Sequence, residues 1–148
     1  MLIKVITYDQ HVKEILTECQ LDQSDIEKTT HITLLGYYTE EILIGTVALE
    51  IYNHHALLRS LAVTKTKQGH GVGHALVKAA EAYALTHNIQ QLYLLTITAV
   101  TFFEQLGYIK LPRTEAPKAI ETSRQFAALC PASATFMYRL LTHSERML

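Results

Sequence analysis

The spacing of apolar and polar residues changes period several times along this chain. Residues 2–8 alternate, as a half-buried strand does. Val12, Ile15, Leu16 and Cys19 then recur at helical spacing behind Asp9, a good N-cap, so a helix is expected to about Gln20. Residues 24–30 read as a short helix or turn. β-Branched and aromatic residues dominate 31–38 and 42–52 on either side of Thr39-Glu40-Glu41, which is a hairpin pattern. Asn53-His54-His55 reverses the chain again into a third meander strand, 57–63. A second helical pattern covers 72–87, with Val72, Ala75, Leu76, Ala79, Ala80 and Tyr83 on one face and Asn88 suited to its end. The continuous apolar run Leu92-Tyr93-Leu94-Leu95 marks 91–98 as a strand buried on both faces. A short helix over 100–106 is stopped by Gly107, and 108–111 is extended. Pro117 suits the first turn of a helix to about Leu129, Pro131 blocks its continuation, and 135–141 is the last strand. An antiparallel meander leading into one βαβ crossover predicts an α/β (α+β) fold: a mixed, mostly antiparallel sheet with helices on both faces.

At 148 residues, 49% hydrophobic and 18% charged, the chain fits one domain, 1–148, with a single core. Thirteen Lys and Arg against fourteen Asp and Glu leave no basic footprint, so no nucleic-acid partner is expected. No apolar run approaches the ~20 residues of a membrane span. The two cysteines, Cys19 and Cys130, have no CxxC or zinc spacing and read as reduced thiols of a cytoplasmic protein. His70 and His74 stand four apart, but a glycine loop joins them and no third ligand is evident, so no metal is expected.

The chemistry concentrates in Gln68-Gly69-His70-Gly71-Val72-Gly73, between the third meander strand and the second helix. Alternating glycines clear the side chains from a backbone that can aim several N–H groups at one anion, ahead of a helix dipole. A P-loop would need Lys-Ser/Thr after Gly73, where His74-Ala75 stand. A dinucleotide fingerprint would need glycine at His74 and an acid about 20 residues on, where Gln90 and Gln91 stand.

The third pattern, Gln/Arg-x-x-Gly-x-Gly/Ala, fits Gln68, Gly71 and Gly73. With Leu61-Ala62-Val63 before it and Phe102-Phe103-Glu104-Gln105-Leu106-Gly107-Tyr108 after it, the chain resembles the GCN5-related N-acetyltransferase (GNAT) superfamily over nearly its whole length. Residues 57–63, Leu94-Leu95-Thr96, Arg113, Pro117, Ile120 and the tail Phe126-Ala127-Ala128-Leu129-Cys130-Pro131 look like GNAT proteins of the arsenic-resistance N-acetyltransferase type. The resemblance implies acetyl-CoA as co-substrate and direct transfer to the primary amine of a small, amino-acid-like acceptor, in a protein that could pair through edge strands as a homodimer. The pyrophosphate would lie on the N–H groups of Gly69, His70, Gly71, Val72 and Gly73, beside His74, with Gln68 bracing the loop. Strands four and five splay at a bulge in this family, so Leu61, Ala62 and Val63 would edge the cofactor. An N–H near Ala62 or Val63 would face the thioester carbonyl.

Glu50, near the end of its strand, is the candidate base for the acceptor ammonium; the competing reading is a solvated strand-end carboxylate. The tyrosine that usually protonates the leaving thiolate is replaced by Phe103, so Phe102 and Phe103 are expected to pack around the cofactor arm and core, with Tyr138 or Ser60 as alternative donors. That replacement also motivates a rival reading, a non-catalytic acyl-CoA-binding protein. Arg59, Arg113 and Arg124 are candidate forks for an acceptor oxyanion, against simple salt bridges. Arg59 stands out because an internal strand seldom carries an unpaired charge. The long segment between the last two strands is expected to form a lid over the acceptor pocket, so that deleting 114–131 would damage acceptor affinity more than acetyl-CoA affinity.

Overall fold

The computed structural model describes residues 2–28, 31–123, 126 and 133–142. The elements are β1 (Leu2–Ile6), α1 (Gln10–Glu18), β2 (Ile32–Thr39), β3 (Ile42–Tyr52), β4 (His55–Val63), α2 (Val72–Thr86), β5 (Gln91–Thr96), α3 (Val100–Gln105), β6 (Ile109–Lys110), α4 (Lys118–Glu121) and β7 (Thr135–Leu140), with 3-10 turns at Ile26–Lys28, Lys65–Lys67 and Arg113–Glu115. Local chemistry accounts for most boundaries. The Asp9 carboxylate accepts from the Val12 N–H and caps α1. Glu40 and Glu41 both take positive φ, which gives the β2–β3 hairpin the turn twist that flanking strands prefer.

The strands form one sheet in the order β1-β2-β3-β4-β5-β7-β6. Every pairing is antiparallel except β4 with β5, which α2 connects. Alternation along the strands divides the apolar side chains between two faces. Leu35, Val47, Leu49, Ala56, Leu58, Leu92, Leu94 and Met137 pack under α2. On the opposite face α1 covers Leu34, Ala48 and Ala62, and Ile120 of α4 packs on Leu57, Tyr93 and Phe136.

The segment before β7 departs from expectation. Of the helix expected to Leu129, the α-helical part among the described residues is Lys118–Glu121, ending at Thr122, and Phe126 further on lies in a π-helical turn. Hydroxyls compete with the backbone there: Thr122 Oγ1 donates to the Lys118 carbonyl, while Ser123 Oγ donates to the Ile120 carbonyl and accepts from the Phe126 N–H. Ile120 is fully buried in the core, so this stretch is structural as well as a cover, and deleting 114–131 would remove core rather than a detachable lid. Arg124, Leu129, Cys130 and Pro131 lie outside the described residues.

Candidate functional site

The site begins where β4 leaves its neighbour. β4 pairs with β5 only from His55–Leu57 to Gln91–Tyr93; beyond that level β5 stays with β7, and the two parallel strands diverge. A bulge marks the departure. Ala48 pairs with Arg59 but Thr46 pairs with Ala62, so β4 carries one extra residue, and Ser60 there takes φ 56°. The extra residue turns Leu61 and Val63 to the α2 face, against the main core, and returns Ala62 to the α1 face.

Hydrogen-bond register decides which backbone groups enter the opening. The Thr64 N–H donates to the Ile44 carbonyl at 2.9 Å, so Gly45 and Val63 form a non-hydrogen-bonded pair and the Val63 N–H and carbonyl turn away from β3. The Val63 carbonyl accepts from Gln68 Nε2 at 2.9 Å and from Cys19 Sγ at 3.4 Å. The adjacent pair, Thr46 with Ala62, is the hydrogen-bonded one, which takes the Ala62 N–H out of contention.

Next to this edge the glycine loop enters α2. Gly69 and Gly71 take φ 80° and 85°, and an added Cβ at either would meet nothing within 4 Å, so both face open space. Gly71 is the N-cap of α2, leaving the first N–H groups of the helix without helical acceptors. Gln68 braces the loop through Val63, His70 Nδ1 lies 2.9 Å from the Gln68 carbonyl, and the Lys65 N–H donates to Glu18 of α1. A cleft of about 450 Å³ results, lined by Leu61, Val63, Gln68, Gly69, Gly71, Val72, Gly73 and His74 with Lys67, Ala99 and Phe102. Phe102 closes it beside Gly73, 3.6 Å from where a Cβ would stand. Phe103 does not line it. Its ring is buried in the core, edge-on to Phe102 and Tyr108, because consecutive helical positions point in different directions.

On the opposite face Glu50 is not a solvated carboxylate; it is 1% exposed. Its Oε1 accepts from Arg59 Nη1 at 3.0 Å, and its Oε2 accepts from the Tyr52 hydroxyl. Arg59 also grips Asp25 through two bonds, 2.6 and 2.7 Å, and its Nε reaches Ser60 Oγ at 3.3 Å. Burial alone would push the Arg59 guanidinium down, but its bonds to Asp25 and Glu50 outweigh burial and hold it above its ordinary value. Burial, and then the bond to Glu50, raises the Tyr52 phenol far above its own.

These contacts correct two sequence expectations. Arg59 is committed to internal carboxylates rather than offered to a ligand. Arg113 donates to the Ala134 carbonyl at 2.9 Å and lies over the Phe126 ring, so it ties the segment before β7 together. Asp25 and Tyr52 were missed. Asp25 lies in a stretch without clear periodicity, whereas Tyr52, two positions beyond Glu50 on the same strand face, was detectable. Among the described residues no three His, Cys, Asp or Glu side chains gather as a metal site. No helix of the described residues is long and apolar enough to cross a membrane.

A mixed sheet whose one parallel pair splays at a bulge, facing a glycine-rich helix start, is the GNAT fold. Residues 4–108 match the model described as the Acetyltransferase (GNAT) family, and the chain belongs to that family. It is 32% identical over 79 residues to an uncharacterized N-acetyltransferase of Chlorobaculum tepidum, a match covering 53% of this chain and 50% of that protein. The chain thus spans about half the length of the curated relative it matches. Among solved structures, Tetrahymena GCN5 is similar at TM-score 0.76 and 18% identity, over 96% of this chain and 97% of that one. The N-acetylglutamate synthase of Neisseria gonorrhoeae, complexed with coenzyme A and N-acetyl-glutamate, is similar at TM-score 0.76 and 16% identity, over 97% of this chain and 36% of that one.

Proposed function

We propose that this chain, acting as one domain in the cytoplasm, transfers the acetyl group of acetyl-CoA to the primary amine of a small, amino-acid-like acceptor by direct attack in a ternary complex. The observation that carries the reading is the Val63 N–H turned into the β4–β5 opening beside the start of α2. The open space at Gly69 and Gly71 suits a pyrophosphate, which their N–H groups and those of His70, Val72 and Gly73 would hold. Leu61 and Val63 would pair with the pantetheine amide as an added strand does, and Phe102 would pack on the arm. The Val63 N–H would donate to the thioester carbonyl oxygen as charge develops there. Glu50, level with the end of the β4–β5 ladder through its partner Leu57, would be the carboxylate that drives deprotonation of the acceptor, without contact between the two.

Two observations on other proteins support the donor and acceptor classes. The Neisseria synthase holds coenzyme A and an acetylated amino acid, and an aminoglycoside 6'-N-acetyltransferase of the same fold holds coenzyme A. Resemblance of 57–63 and 94–96 to the arsenic-resistance type supports a small acceptor, with Arg124 retained as a candidate contact.

The deciding experiment measures CoA thiol release by the purified chain with acetyl-CoA and a panel of amino acids and aminoalkylphosphonates. Release with at least one amine is the expected result. The burial of Phe103, which offers no proton to a thiolate, favours the rival acyl-CoA-binding protein. Tight acetyl-CoA binding without release against every amine would establish that rival.

A further inference from the structure

The carboxylate expected to deprotonate the acceptor is out of the acceptor's reach. Glu50 is 1% exposed, and both its oxygens are already engaged, Oε1 by Arg59 and Oε2 by Tyr52. Arg59 is 5% exposed and is gripped by Asp25, so the cluster is sealed on that side. Tyr52 is the member that is only partly buried. Its ring rests against the cluster of Leu57, Tyr93, Ile120 and Phe136, and the His31 ring lies 5.8 Å away. Leu57 and Tyr93 form the last β4–β5 pair, so Glu50, the partner of Leu57, stands at the level where the strands begin to part, on the face opposite α2; Tyr52, paired with His55 two residues further back, reaches Glu50 along the same face.

Resting on the acetyltransferase reading above, we propose that Tyr52 is the residue that touches the acceptor amine, and that Glu50 acts through it. A phenol that donates its proton to Glu50 keeps its oxygen lone pairs for a second donor, and an ammonium is such a donor. The proton passes from the ammonium nitrogen to the Tyr52 oxygen as the Tyr52 proton passes to Glu50 Oε2. The freed nitrogen lone pair forms the C–N bond at the thioester carbonyl carbon, and the C–S bond breaks. The second nitrogen proton leaves with sulfur as the CoA thiol, and Glu50 returns its proton to the Tyr52 oxygen as the Tyr52 proton passes to solvent. No free tyrosinate forms, in keeping with a phenol that burial and Glu50 hold protonated. Arg59 and Asp25 are positioning residues in this arrangement, since they orient Glu50 without meeting the acceptor.

The test compares wild type, Y52F, E50Q and the double variant with the best amine of the panel. Y52F keeps the ring and its packing but removes the relay atom. It is expected to lower kcat by about 100-fold, within the range for lost general-base catalysis, with the acetyl-CoA dissociation constant unchanged. Because the two residues act as one unit, the double variant should be no slower than the worse single one, whereas independent structural roles would multiply. Y52F turnover within threefold of wild type, or multiplied losses, would overturn the role of Tyr52 and leave the acetyltransferase reading standing. A wild type without CoA release against any amine would overturn both. Should Y52F lose acetyl-CoA binding, 3-fluorotyrosine at position 52 decides: altered kcat supports the relay, and unchanged kcat overturns it.

Discussion

Arg59 joins Asp25 of the turn just before the 3-10 segment Ile26–Lys28, Glu50 of β3 and Ser60 of the bulge, and its side chain is buried together with both carboxylates. A buried ion cluster contributes little against an apolar replacement of the whole set, but removing one member leaves charge stranded in a low dielectric. Arg59→Met is therefore expected to destabilise the fold by about 3–5 kcal/mol in urea denaturation. A loss below about 1 kcal/mol would mean that water or another cation reaches the two carboxylates. Gly71 presents the opposite case. A Cβ there meets no atom within 4 Å, so Gly71→Val costs the fold only the strain of φ 85°, about 1–2 kcal/mol. The same side chain would project over the N–H groups of α2. Acetyl-CoA affinity, read by calorimetry, should fall by far more than that strain accounts for; unchanged affinity would remove the loop from the donor site.

Among the elements, β4 shapes the candidate site because its bulge breaks the pleat between Arg59 and Ala62. Before the bulge Arg59 faces the Asp25–Glu50 cluster; after it Leu61 and Val63 face the cleft under α2. One strand thus serves both faces of the opening. The stretch around α4 packs through Ile120 on the sheet face opposite α2. Ile120→Ala should cost about 2–5 kcal/mol, as buried aliphatic truncations do, with acetyl-CoA affinity in the folded protein unchanged. Affinity lost in proportion to stability would contradict the division between the two faces. The β3–β4 end also has a signature in pH. Burial first, and then Glu50, raises the Tyr52 phenol, and burial raises Tyr93 and Tyr8 as well. Above about pH 10 the unfolded phenols ionise first, the unfolded state holds fewer protons, and stability falls as pH rises; below that the contribution is fully present. The urea midpoint should drop as pH rises above about 10 in wild type and less in Y52F; equal slopes would place the titration in other groups.

For the whole molecule, a ligand held between β4 and α2 lies against two elements of the main core, so binding should appear as global stability. Acetyl-CoA at about 100 times its dissociation constant should add about 2.7 kcal/mol and raise Tm by several degrees, and NAD at equal concentration should not. A Tm indifferent to acetyl-CoA would argue against the donor cleft. Much of this architecture was legible beforehand from particular residues. Asp9 announced α1, Glu40-Glu41 the hairpin, the run from Leu92 to Leu95 the doubly covered strand, and Gln68-x-x-Gly71-x-Gly73 the glycine loop that opens α2. Each of these signals is local, set by backbone preference or by the spacing of neighbours along one element. The partners of Arg59 and Arg113 were not legible for one reason: each lies elsewhere in the chain. Arg59 meets Asp25 across 34 positions, and Arg113 meets the Ala134 carbonyl across 21. By itself, then, the sequence determined the order of elements, the mixed sheet and the loop before α2, because those follow from period and turn chemistry. Only the tertiary structure decided that the Val63 N–H rather than that of Ala62 faces the opening, that Phe103 lies in the core, and that Glu50 is sealed behind Tyr52. Strand register and the pairing of buried charges are settled between segments, where no local pattern records them.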